Sequence, residues 1–463
     1  MHYPWWYVPD VTAPMLIAAV AVAHVLVSHY AVGGGLFLAV ETTYAYRTKD
    51  RAYLDYLRGH TQFFVLLTVV FGAITGVGIW WTIGLASPLA TETLIRTFVF
   101  AWATEYVFFV LELVSAFVFL YCWGKLAERT HAIVGWIYGL SAWVSLVLIV
   151  GITAFMLHPG RWPEDHSFWS AFFNPQFLPQ VVVRTGGALL LSSLYVYLHA
   201  SLANRDRPLH ERICRRSARP ALLGAAMVGA GALGWYAMLP ESAKAALASA
   251  AVLNIFAGLL LAVSAAVVVL VYLGPYRNPD WVSPGFAIAL FLFGIAGVGI
   301  GEFVREAVRK PYVIYNVVLG NQILPAEVAT LRKEGYLQGG LWTRALVKSR
   351  HPEVFAGGRI EPSRLLALPE DAQAALGEVL FQYHCNDCHA LDRGYSPVGA
   401  LLRGYSRPMI NSLITHLDQE RFFMPPWSGT PEEAHLLASY LSRIAPPRPK
   451  GMAPQIEPAG TRQ

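Results

Sequence analysis

Cys385-Asn386-Asp387-Cys388-His389 sets two thiols three residues apart with an imidazole directly behind the second. In this pattern two thioethers stitch a haem to the chain and the histidine binds its iron, so the chemistry it offers is one-electron transfer. A redox-active dithiol and half of a zinc site are the alternatives. The adjoining histidine and the lack of a second Cys-x-x-Cys argue against both.

The flanks supply the rest of a small haem domain. Gly377-Glu-Val-Leu380-Phe381 lies on a stretch from Pro369 to Tyr383 that reads as a helix, whose apolar side can lie beside a porphyrin. The sequence Met424-Pro425-Pro426-Trp427 sets a thioether in a stiff loop 35 residues after His389. Proline lacks the N–H and restricts the residue before it, so helix is disfavoured there. A closing helix is expected from Pro431 to about Ile444, with Leu436, Leu437, Tyr440 and Leu441 at core spacing. This order resembles class I cytochromes c, and the resemblance implies His389 and Met424 as axial ligands of one covalent haem c. Methionine opposite histidine raises the reduction potential. The plain alternative for Met424 is a loop methionine packing on the core, and His384, His416 and His435 read as surface residues.

Hydrophobic residues make up 55% of the 463 residues and charged ones only 14%, which places most of the chain in a membrane. Eight apolar stretches are long enough to cross about 30 Å of hydrocarbon, near 12–44, 61–85, 93–123, 132–157, 179–203, 220–239, 245–273 and 285–304. Basic residues concentrate in alternate connections: Arg47, Lys49, Arg51 and Arg58; Lys125 and Arg129; and Arg205, Arg207, Arg212, Arg215, Arg216 and Arg219. Those loops read as cytoplasmic. The N-terminus and, after eight crossings, the C-terminal domain are then outside, the face on which bacterial c-type haem is attached. The first span has no basic n-region, so no cleavable signal peptide is expected. The net charge of +5 mostly records the inner loops and gives no sign of nucleic acid. Cys122 and Cys214, at or beyond inner span ends, are poor disulfide candidates.

The expected architecture is all-α: an eight-helix transmembrane domain over residues 1–314, a connector over 315–367, a small helical cytochrome domain over 368–446 and a proline-rich tail over 447–463. A charge at bilayer depth costs at least about 2.5 kcal/mol on insertion scales, so each invites a functional reading. His24 and His29 lie in the first span, Glu105 and Glu112 in the third, and Glu302 and Glu306 at the outer end of the eighth. Glu105 and Glu112 are two helical turns apart and share a face. His24 and His29, five apart, point in different directions. For any one of these, a partnered histidine or a protonated carboxyl packed between helices is the structural alternative.

Three stretches around these residues resemble subunit I of the cytochrome bd oxidases. His24 with Gly33 to Gly35 and Val40-Glu41-Thr42 is similar to that family's opening helix. Thr104-Glu105 through Glu112 to Trp123-Gly124 is similar to the helix whose paired glutamates border the haems, although the family spaces them by eight residues and this chain by seven. Glu306-Ala-Val-Arg309-Lys310-Pro311-Tyr312 resembles the signature Glu-x-Gly-Arg-Gln-Pro-Trp. The resemblance implies that His24 and Glu306 hold two non-covalent haems, of b type or one b and one d, and that Glu105 and Glu112 carry protons. It also implies O2 as substrate and a second, similar subunit as partner. A homodimer is equally compatible with the glycines of the sixth and eighth spans, Gly224, Gly229, Gly231, Gly294, Gly297 and Gly301.

The departures concern the electron donor. Where the family has a histidine ligand at the start of the fifth span, this chain has Arg184, and guanidinium has no lone pair for iron. The seventh span has no methionine, the long quinol loop is reduced to a few residues around Pro240 to Ala245, and the ninth span gives way to the cytochrome domain. The expectation is therefore a bd-like oxidase subunit of a bacterial inner membrane, fed through haem c by a periplasmic cytochrome c or another outer-side donor. The alternatives are a non-catalytic electron-transfer subunit, with His29, His158 or His199 as further ligands, and a redox or gas sensor.

Overall fold

A computed structural model describes residues 6–203, 206–340, 342–420 and 423–446. Arg205, the first five residues and the proline-rich tail lie outside the described residues. Among the described residues eight helices are long and apolar enough to cross a membrane: α1 (Ala13–Thr48), α2 (Arg51–Ala86), α3 (Val99–Tyr121), α4 (Glu128–Ala154), α5 (Phe177–Ala203), α6 (Arg207–Ala237), α7 (Ala251–Arg277) and α8 (Pro284–Ala307). Three further helices matter for function: α9 (Glu370–His384), α10 (Arg407–Thr415) and α11 (Pro431–Ile444).

Local chemistry sets several helix ends. Asp50 caps α2 by accepting from the Tyr53 amide at 3.0 Å, and Ser283 caps α8 ahead of Pro284 by accepting from the Phe286 amide at 3.3 Å. Two helices start earlier than the apolar runs suggest. Arg51 opens α2, and α6 begins at Arg207, thirteen residues before the expected 220. Their first turns are polar and joined by ion pairs, so hydropathy alone cannot see them. Arg212 meets Asp50 at 2.6 Å, Arg216 meets Glu41 at 2.6 Å and Lys49 meets Glu128 at 2.8 Å.

The chain divides into two compact units. One comprises residues 19–80 and 92–309, the other residues 1–18, 81–91 and 310–463. In the helical unit, α5 and α6 touch backbone to backbone. A Cβ on Gly186 would meet the Gly224 carbonyl, and one on Gly231 would lie 2.8 Å from the Val183 amide nitrogen. Gly294 packs on Leu194, while Gly297 and Gly301 face Val263 and Leu260 on α7. The glycine faces considered for a homodimer are thus spent on contacts within the chain. Gly229 is the exception, with no atom of the described residues within 4 Å of where a Cβ would stand.

In the second unit, α9 crosses α11 where Gly377 lets the backbones close. A Cβ there would strike the Leu436 carbonyl and come within 2.7 Å of Tyr440 Cβ. The stretch expected as a connector, 315–367, shares this unit's core: Leu319, Tyr336, Leu337, Trp342 and Val347 are buried in one cluster with Leu380, Phe381, Leu436 and Leu437. Two short antiparallel hairpins, Tyr312–Ile314 with Val318–Leu319 and Phe355–Ala356 with Arg359–Ile360, order it. The unit also takes in residues 1–18 and 81–91: the Ala90 amide donates to Gln322 Oε1 at 3.2 Å and the Tyr395 amide to the Asp10 carbonyl at 3.0 Å. Gly394, at φ +99°, leaves room for Asp10, whose carbonyl a side chain would strike.

Candidate functional site

Each unit carries its own set of chemistry-bearing residues. In the second unit, α9 ends at His384 and the chain winds on through one more turn, with the Cys385 amide bonded to the Phe381 carbonyl at 2.8 Å and the Cys388 and His389 amides to the Cys385 carbonyl at 3.0 Å. This turn fixes both thiols and the imidazole on one short stretch of backbone. His389 Nδ1 lies 2.8 Å from the Ser396 carbonyl. A carbonyl can only accept, so Nδ1 carries the proton and Nε2 keeps a lone pair for a metal. Burial lowers the His389 pKa, which favours the same neutral form.

Burial, with Cys388 nearby, pushes the Cys385 thiol up to about 12. A dithiol redox centre uses the opposite shift at its attacking thiol, which Cys385 does not show. Among the described residues no three of His, Cys, Asp and Glu gather as a metal site. Two thiols and an imidazole whose Nε2 keeps its lone pair are a donor set that could hold a thioether-linked haem.

Met424 is half-buried in the proline-held loop. Several bonds brace that loop from the former connector: Arg332 Nε donates to the Trp427 carbonyl at 3.1 Å, and the Ser428 amide donates to Tyr336 Oη at 3.1 Å. Glu433 is the knot. It caps α11 with Thr430 and accepts from the Tyr336 and Leu337 amides at 2.8 and 2.7 Å. Burial pushes its pKa up to about 7, against three backbone donors that favour the anion. Glu433→Ala leaves those three N–H groups buried without an acceptor and should destabilise this unit by about 3 kcal/mol or more. Thermal unfolding checks it, and an unchanged midpoint would contradict the role given to Glu433.

His384 corrects an expectation. It is 5% exposed instead of lying on the surface. Its Nδ1 receives Tyr336 Oη at 2.6 Å and Asn321 Nδ2 at 2.9 Å, and its ring meets Trp427 at 5.1 Å. Residues 321 and 336 fold back over the end of α9, which periodicity within the helix cannot reveal. Burial holds its pKa down to about 3, so it stays neutral.

In the helical unit, Glu105 and Glu112 do share a face. Glu105 accepts from Ser145 Oγ at 2.7 Å and Glu112 from Tyr138 Oη at 3.2 Å. Ser145 and Tyr138 are also seven apart, so α3 and α4 meet rung to rung. Tyr138 Oη also reaches the Ala31 carbonyl on α1 at 3.3 Å.

His24 and His29 are held in different ways. Thr75 Oγ1 donates to the carbonyls of Phe71 and Gly72, at the end of a π-helical stretch (Leu66–Phe71), and can accept from His24 Nδ1 at 3.1 Å. His29 Nδ1 donates to the Val25 carbonyl at 2.9 Å. Both imidazoles therefore keep Nε2 as a lone pair.

At the far end of α8, Glu302 pairs with Arg305 at 2.7 Å and with Arg184 at 3.5 Å. Arg184 is thus an ion-pair partner where the resemblance would place a ligand. Glu306 pairs with Arg309, which is 4% exposed and whose Nε and Nη1 have no partner among the described residues. Glu302 is held by two guanidiniums. His60 escaped the sequence reading. It is fully buried and bonded to Tyr30, just ahead of where the apolar run begins.

Residues 13–243 match the family described as cytochrome bd terminal oxidase subunit I. Among solved structures the chain is similar to the bd oxidase from Geobacillus thermodenitrificans, with 15% identity and a TM-score of 0.57 over 72% of this chain and 89% of that one. At this identity the likeness speaks for the fold. No curated protein matches the chain.

Proposed function

We propose that this chain is a bd-like terminal oxidase subunit, which accepts electrons at a covalent haem c from a cytochrome c or another outer-side donor and delivers them to membrane haems for reduction of O2 to water. One observation carries the reading. A single chain joins a Cys-x-x-Cys-His turn, with His389 Nε2 free for iron, to helices that match bd subunit I. The resident groups supply one-electron transfer and, at an open iron position, oxygen chemistry.

The protein's own residues do the rest. Cys385 and Cys388 anchor haem c, and His389 and Met424 hold its iron. His24, its Nδ1 turned to Thr75, and Glu306, steadied by Arg309, hold the two non-covalent haems, of b type or one b and one d. Glu105 and Glu112, bonded to Ser145 and Tyr138, hold and release protons. The Arg184–Glu302–Arg305 group fills with ion pairs a place where quinol-linked relatives would need a ligand. The setting is a bacterial inner membrane, with the C-terminal unit on the outer side together with the N-terminus, and a second bd-like subunit beside it.

A carbon monoxide difference spectrum tests the reading. The reduced protein should bind carbon monoxide at a membrane haem and consume oxygen when supplied with reduced cytochrome c. No ligand binding would favour an electron-transfer subunit, and binding without turnover a sensor.

A further inference from the structure

The oxidase reading leaves unused a chain of polar groups inside the helical unit. Tyr30 Oη and His60 Nε2 are 3.1 Å apart. His60 rests edge-on against His199 with ring centres 4.8 Å apart, and His199 Nδ1 lies 3.4 Å from Tyr56 Oη. Tyr56 stacks on Tyr53, ring centres 6.2 Å apart. The Tyr53 hydroxyl donates to Glu41 at 2.9 Å. Tyr30, Tyr53 and His60 have no exposure at all.

Such groups are expensive there. Each polar side chain buried among apolar helices must recover a desolvation cost of several kcal/mol, and phenylalanine or leucine would fill the space without it. Neither His60 Nδ1 nor the hydroxyl of Tyr197, two residues before His199, has a partner among the described residues. Fully buried orphan atoms of this kind are ordinarily met by internal water. The edge-on contact of the two imidazoles leaves no gap for a haem between them, so they are not a ligand pair. From Tyr30 to Glu41 is eleven residues along α1, about 16 Å. The chain therefore joins the middle of α1 to the end that carries the Arg216 ion pair.

We propose that Glu41, Tyr53, Tyr56, His199, His60 and Tyr30 form the path by which protons enter from the inner surface. This rests on the oxidase reading. Each phenol can accept a proton on oxygen and give up its own, and each neutral imidazole can take a proton at one nitrogen and release it from the other. A proton thus moves along with no net change of charge in any member, and each imidazole returns to its first tautomer before the next proton passes. The two steps made through ring contacts, His60 to His199 and Tyr56 to Tyr53, each call for a bridging water, and the unpartnered His60 Nδ1 offers one a place at the first. The outer end of the path is Tyr30, next in sequence to Ala31, whose carbonyl shares the Tyr138 hydroxyl with Glu112. One proton enters for each electron consumed at oxygen.

The test uses the whole protein in vesicles with a pH-sensitive dye on the inner face of the protein, reduced from the outer side by an artificial donor. Wild-type protein should take up inner-side protons as its haems become reduced, with or without oxygen. His60→Phe keeps the ring and removes both nitrogens, and Tyr56→Phe removes only the hydroxyl. Each should slow uptake roughly tenfold or more while leaving the reduced-minus-oxidised spectrum unchanged. His60→Gln, which can still bond Tyr30, should recover part of the rate. Unchanged uptake in both phenylalanine variants, or no inner-side uptake by the wild type, would overturn the path. So would loss of haem absorbance in His60→Phe. If the wild type reduces no oxygen, the oxidase reading fails, but uptake on haem reduction still judges the path.

Discussion

Replacing both Cys385 and Cys388 with alanine should abolish every haem-stained band on a denaturing gel, while non-covalent haem persists in the membrane part of the native protein. The thioethers are the only bonds that would survive denaturation, and the pair sits on one turn whose amides are pinned to Phe381 and Cys385 carbonyls. His389→Ala should leave the thioethers possible and disturb the axial bond, because Nε2 is the nitrogen left free when Nδ1 donates to Ser396. A covalently stained band in the double alanine variant would sink the haem c assignment.

The second large effect is expected at the membrane ligands. His24→Ala and Glu306→Gln should each remove or shift a membrane haem band without touching the covalent one. Glutamine is chosen at 306 because its amide oxygen can still accept from the buried Arg309, whereas alanine would remove that acceptor as well as the charge. Glu302→Gln should loosen the Arg184 and Arg305 pairs and lower stability with little change in the spectrum. The reverse pattern, a spectral change at 302 and none at 306, would mean that the alignment of Arg309-Lys310-Pro311-Tyr312 is one helical turn out.

What could be read from the residues alone follows from range. The eight spans were legible because a run of about twenty apolar residues is a local signal. The shared face of Glu105 and Glu112 follows from helical period alone, and Ser145 and Tyr138 now occupy that face. The polar extensions of α2 and α6 were invisible to hydropathy, because arginines stabilised by Asp50 and Glu41 look like loop. His60 lay inside one of those extensions. Long-range closure was hidden altogether. Nothing near His384 announces that Tyr336 will cover it, and nothing near Glu433 announces the amides of Tyr336 and Leu337. Of the glycines of α6 and α8, Gly224, Gly231 and Gly294 are sites of close approach to α5, Gly297 and Gly301 make ordinary contact with α7 and Gly229 makes none among the described residues, and sequence names none of these neighbours.

The central claim is that electrons enter through the C-terminal haem and not from quinol. Oxygen uptake by the purified protein, supplied in turn with reduced cytochrome c and with a quinol, tests it most directly when repeated on Met424→Ala. The account predicts turnover with cytochrome c, near inertness toward quinol and a severe loss of turnover when Met424 is removed. Steady quinol oxidation that is indifferent to Met424→Ala would contradict it, and would mean that the ion-paired region around Arg184 conceals a rebuilt quinol site.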